Sequence, residues 1–600
     1  MARSSSLLIL IGALGATTAA GQDGPGAYKE APSIAVDHRL HRVGELAPDL
    51  PFTSIAGEAT SLARYAEGRP LVIAIRDVGC PLSKKYGPRL AEIEQALGDK
   101  DVRFLYVNPS EIDTVEQMRA EKAAYGFQGA YVADREGTIA RTLGCDRTTD
   151  VFLLDGSRTL MYRGAIDDQY GIGFQHEAPR HTYLLRAIDA VLANRTPDVR
   201  ATTAPGCAVD WSGRDVQPVE PAITYHSRIS RIMQQHCQSC HREDGVAPFA
   251  LETYQQVRAR RGAIRQSIET GVMPPWHAGE GSRAFLNDRS LSARDRDALF
   301  RWIEDGCLEG DPSDAPRPLV WTEGWEIGEP HAVVTIPDPV SVPAQGAMGY
   351  RYQYVKTDFP EDRWIRAMEI RPTHPEVVHH VLVFIEEPPR EGETRREIQA
   401  RWQGGLQGYF AGLVPGQATT MYPEGTAKRL PAGAWLKFQL HYTPNGRAVE
   451  DRTQIGFIFA DTAPEREMHT SAAMTTRLDI PPGASNHEVK ATTTFSRPAV
   501  IQSFAPHMHV RGKAYRYELT WPDGTSEVVL DIPRYDFNWQ TRYVLREPIR
   551  VPAGTKLTCT AWYDNSDGNP ANPNPKARVR FGEQTWDEMM IGYFEYWRDE

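Results

Sequence analysis

Three kinds of apolar pattern follow one another along the 600-residue chain, and each admits a different fold. Between residues 37 and 195, strand-length runs alternate with helix-period stretches. LVIAIR (71–76) reads as a buried strand, and residues 81–97 have helical periodicity with Pro81 at the start. VRFLYV (102–107), a helical stretch 114–125, VFLLD (151–155), LMYRG (160–164) and an amphipathic stretch 180–194 continue the alternation. That order implies an α/β sheet covered by helices. Residues 196–220 read as a linker, and residues 221–315 turn helical. After Pro316 only strand-length runs between Pro, Gly, Asn and Asp turns remain, which suggests β-sandwiches. The expected chain is multidomain: α/β at 37–195, all-α at 221–315, and all-β at 316–470 and 471–600.

Composition narrows the function classes. A mean hydropathy of −0.46 leaves no room for several membrane spans. The 67 basic and 78 acidic residues give a net charge of −11, which argues against a nucleic-acid partner. Seven cysteines are too few to staple such a length, so each is read individually. Residues 1–20 place Arg3 before an apolar core at 7–14 and end in Thr18-Ala19-Ala20, the three-part pattern of a secretory signal peptide. The apolar run is too short to span a membrane. The mature protein is therefore expected in a bacterial periplasm or secreted, with no integral span after cleavage.

The helical segment holds the most specific motif. HCQSCH sets Cys237, Cys240 and His241 as C-x-x-C-H, the pattern of covalent c-type haem attachment. Two thiols one turn apart can bond the haem vinyls, and the adjacent imidazole becomes the proximal iron ligand. A zinc site would need a second ligand pair, and none follows nearby. GVMPPWHA offers Met273 as the second axial ligand. The segment resembles a class I cytochrome c domain, which implies one haem c.

In the all-β half, histidines gather in strand contexts: EVVHHVLVF (His379, His380), KFQLHYTPNG (His441) and APHMHVRG (His507, His509). DEMMIGYFEYW adds Met589 and Met590. His507 and His509 are i, i+2, so a strand aims both at one face. His379 and His380 are adjacent and reach one metal only at a bulge or strand end. Imidazoles with a thioether select copper over calcium, magnesium or a thiolate zinc site.

With these motifs in this order, residues 316–600 resemble the copper type II, ascorbate-dependent monooxygenases, whose animal members are the peptide-amidating and dopamine β-monooxygenases. The resemblance implies two successive jelly-roll-like domains and two coppers. It implies that His379, His380 and His441 hold an electron-transfer copper, and that His507, His509 and Met589 hold the O2-activating copper. Met589 is preferred to Met590 because it follows Asp587-Glu588, and Gln439 also fits the pattern. Ala505 stands where the amidating enzymes have a carboxylate-binding Arg, while Tyr593 stands where they have a substrate-binding Tyr. The animal enzymes' disulfides have no counterpart, since Cys559 alone follows Cys307.

In the first domain, DVGCPLSKKYGPRL puts Cys80 after a buried strand and at a helix start, with Lys84 and Lys85 nearby. Both features lower a thiol pKa. With VFLLDGSRTLMYRGAIDD, this segment resembles a thioredoxin-like, redoxin domain. Ser83 replaces the second cysteine of C-x-x-C, and Thr149 replaces the proline that faces the thiol in the family. Cys80 is a thiol nucleophile, the partner of Cys145 or Cys207 in a disulfide, or an inert buried thiol. Cys307 reads as a small buried residue.

Together these features describe an exported copper-dependent monooxygenase. It would hydroxylate a C–H bond of a small organic substrate with O2, with electrons from an external donor relayed through haem to two coppers. The alternatives are a non-enzymatic copper and electron-transfer protein, or a thiol peroxidase or thiol–disulfide oxidoreductase acting through Cys80.

Overall fold

The computed structural model describes residues 30–599 apart from 244, 387–391, 393–407 and 415, so the expected signal peptide lies outside the described residues. The chain divides into two compact units, Met1–Pro221 and Ala222–Glu600. No described helix is long and apolar enough to cross a membrane.

The first unit is built on a five-stranded sheet. Its order is Ala130–Ala133, Arg103–Asn108, Leu71–Ile75, Val151–Leu154, Leu160–Gly164, with the first three parallel and the last two antiparallel. Leu71–Ile75 is buried along its whole length, as a central strand covered on both faces must be. Alternate side chains divide between two cores. Ile73, Leu105 and Phe152 face one side, and Val72, Phe104 and Val151 face the helices Pro81–Leu97 and Tyr183–Leu192 on the other. The α/β expectation holds here.

The linker expected at 196–220 is not loose along its length. Ala201 bridges Arg163, and the amide of Val36 donates to the Ala201 carbonyl at 3.0 Å. The Thr202 hydroxyl accepts from the Ala165 amide at 2.8 Å and meets the Tyr162 hydroxyl at 3.0 Å. A polar composition reads as loop, yet small and hydroxyl-bearing side chains bury readily once their polar groups are paired.

In the second unit, the helices Ser230–His236, Tyr254–Ala259, Arg261–Glu269 and Ala293–Glu304 gather around Ile229, Met233, Leu299 and Trp302. The helical expectation for 221–315 is met in its elements, but a self-contained all-α domain is not what forms. Residues 276–287 leave the helical cluster. Phe285 enters the core of the second β-sandwich and bridges Leu545, while Trp276 packs edge-on to Tyr543 at 4.9 Å.

The remaining chain is β-rich, as expected. One pair of sheets runs through Arg363–Arg371 and Gln454–Phe459 on one side and through Val378–Ile385 and Trp435–Tyr442 on the other. Between them lie Ile365, Phe457, Val381 and Phe438. A second pair runs through Ala499–His507 and Ile591–Arg598, facing Gly512–Thr520 and Lys556–Tyr563. Arg466–Glu467 pairs with the first sandwich and His469–Met474 with the second.

Candidate metal centres and thiol pair

His380 and His441 are register partners on adjacent strands of the first sandwich, and the register slips between Val378 and His380. That irregularity lets neighbouring His379 and His380 serve one centre, which a regular strand forbids. The three rings lie 4.8–5.3 Å apart, and one nitrogen from each falls within 4.8 Å of the others. Tyr350 packs edge-on to His380 and His441, and Phe537 stacks on His379 at 4.8 Å.

Buried polar nitrogens normally find partners. Here His379 Nε2, His380 Nε2 and His441 Nδ1 are buried and have no hydrogen-bond partner among the described residues. Burial lowers all three imidazole pKa values, His441 to about 3, so the rings are neutral and able to bind a metal.

The second cluster sits at the end of Ala499–His507. His507 closes the strand and His509 lies just past it, so the i, i+2 pair is not carried by one regular strand as expected. Their rings are 5.2 Å apart and nearly perpendicular. His507 Nδ1 contacts Gln540 Oε1 at 2.6 Å, and His509 Nδ1 contacts the Asp587 carbonyl at 3.2 Å. Each partner fixes the tautomer that leaves Nε2 for a metal. His509 Nε2 is buried without a partner among the described residues. Burial lowers His507 to about 4 and His509 to about 3.

Met590 is fully buried in the sandwich core, whereas Met589 is half-buried and its carbonyl accepts from Tyr563. Glu588 takes the amides of His509 and Arg511 and so ties the two loops together. Phe537 lies 6.1 Å from His509 as well as against His379, so one aromatic ring touches both clusters.

Beside His507 is a cavity of about 50 Å³ walled by both sandwiches. Leu382 and Tyr409 come from the first, and His507, Arg542, Tyr593 and Glu595 from the second. Tyr593, singled out in the sequence, therefore does line this space. Gln439 instead donates to the Tyr352 hydroxyl at 3.3 Å. Gln540, Phe537 and Arg542 escaped sequence reading because they lie in or beside the loop 533–542, which has no periodicity.

Cys237, Cys240 and His241 form one turn after Ser230–His236, closed by the His241 amide donating to the Cys237 carbonyl at 2.8 Å. His241 Nδ1 contacts the Phe249 carbonyl at 3.1 Å, which leaves Nε2 as the nitrogen that would bind a metal. Met273 follows the helix Arg261–Glu269, its amide donating to the Ser267 carbonyl. Cys237 and Cys240 thus share one ordered turn with His241, as a covalent haem attachment would require.

In the first unit, Cys80 is the N-cap of Pro81–Leu97 and only 4% exposed. Its sulfur lies 3.4 Å from that of Cys207 and accepts from the Thr148 hydroxyl at 3.1 Å. Burial raises the Cys80 thiol, but hydrogen bonds from Thr148, the Ser83 amide and Cys207 outweigh it and hold the pKa below the usual range. Cys145 is buried, its sulfur near the Arg147 carbonyl, and burial keeps its thiol far above that range. Of the two partners open in the sequence, the structure brings Cys207 to Cys80.

Residues 42–171 match the Redoxin family model, so a redoxin, thioredoxin-like domain occupies this part of the chain. The match ends before the C-x-x-C-H turn and the histidine clusters. Among solved structures, a hypothetical protein of Sinorhizobium meliloti is similar at 24% identity, covering 31% of this chain and 100% of its own, with a TM-score of 0.27. An uncharacterized conserved protein of Geobacillus kaustophilus is similar at 22% identity, with shares of 31% and 98% and a TM-score of 0.27. A secreted Mycobacterium tuberculosis disulfide oxidoreductase is similar at 16% identity, with shares of 26% and 98% and a TM-score of 0.18. A search of curated proteins finds no match.

Proposed function

We propose that the protein is an exported oxidoreductase whose C-terminal unit is a copper-dependent monooxygenase, hydroxylating a C–H bond of a small organic substrate with O2. The observation that carries this reading is the set of buried imidazole nitrogens on His379, His380, His441 and His509 that have no partner among the described residues. Four neutral donors facing no protein partner are costly unless something else binds them. His379, His380 and His441 would hold one copper, and His507, His509 and Met589 the other. Cys237, Cys240, His241 and Met273 would hold a haem c. Bound there, the metals would supply one-electron transfer and O2 chemistry.

The chain's own residues do the rest. Gln540 and the Asp587 carbonyl hold the His507 and His509 rings in the ligating tautomer. Glu588 accepts the amides of His509, Arg511 and Met589, which ties the loop carrying His509 to the backbone at Met589. Leu382, Tyr409 and Tyr593 would form apolar and aromatic walls for a substrate next to His507. The unlike donor sets favour an enzyme over a storage protein, since a His₂Met set leaves a position open for reaction.

Metal analysis of the full chain, matured in a host that attaches haem c, should give two coppers and one haem. His441→Ala should lower copper to one per chain with haem unchanged. If Met589→Ala leaves substrate-dependent haem reoxidation and ¹⁸O incorporation as in the parent, the monooxygenase reading fails.

A second reading concerns the first unit. The 3.4 Å sulfur contact and the redoxin match support thiol–disulfide chemistry at Cys80. The family comparison bears on this reading and lends nothing to the copper one.

A further inference from the structure

Residues 205–209 lie in extended pairing along the loop 146–149. The Val209 amide donates to the Asp146 carbonyl and the Thr148 amide to the Cys207 carbonyl, each at 3.0 Å. Arg147 and Ala208 form an antiparallel bridge. Arg147 Nη1 donates to the Gly206 carbonyl at 3.1 Å, and the Thr149 hydroxyl donates to the Pro205 carbonyl. Gly206 has φ +113°, and a Cβ there would meet the hydroxyls of Thr148 and Thr149 at 3.1 and 3.3 Å. Only glycine suits that close, left-handed approach. The pairing lays the exposed Cys207 over the buried Cys80.

We propose that residues 205–209 are a built-in strap that shields Cys80, and that Cys207 is its intramolecular redox partner. This rests on the thiol reading of Cys80. Cys80 is the attacking sulfur and Cys207 the resolving one. Their pKa values agree with that division, since burial and the neighbouring Cys80 push Cys207 up to about 11.

The oxidant is a disulfide, R–S–S–R. Cys80 thiolate attacks one of its sulfurs as the strap lifts, breaking the R–S–S–R bond and releasing one RS⁻. Cys207 gives its proton to water and attacks Cys80 Sγ, breaking the mixed disulfide and releasing the second RS⁻. Both thiolates take up protons, so two protein thiols are oxidised and one external disulfide is reduced. Closing the bond from 3.4 Å shortens the sulfur separation by roughly 1.4 Å. The docked strap gives Cys207 a high effective concentration, which makes the second step fast.

The test uses reduced full-length protein, glutathione disulfide as oxidant, and mass-spectrometric mapping of products. The parent should yield a Cys80–Cys207 disulfide with little glutathione retained. Cys207→Ser should trap a stable Cys80–glutathione adduct. Gly206→Val should release the strap without altering either sulfur, raising Cys80 alkylation by iodoacetamide at least tenfold and slowing closure of the disulfide. A parent that accumulates the glutathione adduct, or a Gly206→Val rate equal to the parent's, overturns the strap while leaving Cys80 a reactive thiol. Failure of Cys80 to react with glutathione disulfide in every variant overturns the thiol reading as well.

Discussion

Glu595 lies between the buried Lys428 and the half-buried Arg542 in the second unit. Arg542 Nε lies 3.2 Å from one carboxylate oxygen and Lys428 Nζ 3.7 Å from the other, while the hydroxyls of Ser503 and Tyr422 donate to it. Removing one member of such a set strands the charges that remain. Glu595→Gln should lower the unfolding free energy of this unit by about 3 kcal/mol, read by chemical denaturation. Burial raises the Glu595 carboxyl, but Arg542 and Lys428 prevail and hold it below its ordinary 4.5. Its stabilisation is therefore present above pH 4.5 and lost as pH falls below, so the variant should lose part of the acid slope seen in the parent. The residue scale also shows what a sequence makes readable. His379, His380, His441, His507 and His509 stand out because their identities and local spacing carry the chemistry. Gln540 and Phe537 do not, because their roles come from a loop whose path only tertiary packing sets.

Strands and segments tell a similar story one level up. Adjacent His379 and His380 called for an irregular strand, and the register shift beside them supplies it. Likewise the helix starting at Pro81 and the strands VFLLD and LMYRG were readable from period and turn signals. The behaviour of residues 196–220 was not, since nothing in their composition reports that Ala201 and Thr202 are buried. Gly592 marks another constraint invisible to pattern. On Ile591–Arg598 it lies against Cys559 and Tyr515, and a Cβ would collide with both the sulfur and the hydroxyl. Gly592→Ala should therefore cost about 2 kcal/mol by overpacking, measured as a lowered denaturation midpoint with an unchanged slope. The same contact gives Cys559, otherwise without a role, a packing function.

At the scale of the whole molecule, the division at Pro221 sets the unit of folding for the N-terminal part. A fragment of residues 30–221 should unfold as one cooperative transition by calorimetry. A fragment ending at 195 keeps the entire Redoxin match but loses Ala201, Thr202 and the strap, leaving the Ala165 amide without its acceptor. It should melt several degrees lower or fail to fold. Domain order was legible because each kind of apolar periodicity occupies its own stretch. Where one body stops was not, because side chains cross those stretches. Phe285 is the plainest case: it arises between two helices yet helps to fill a β-core, while Asn287 clasps the backbone of Arg542 and Val544. A gene cut at residue 315 to borrow the C-x-x-C-H segment as a cassette would carry away a rivet of the neighbouring sandwich and leave a hole at the seam. Recombination, natural or engineered, must take the helical segment and the second sandwich together or break both.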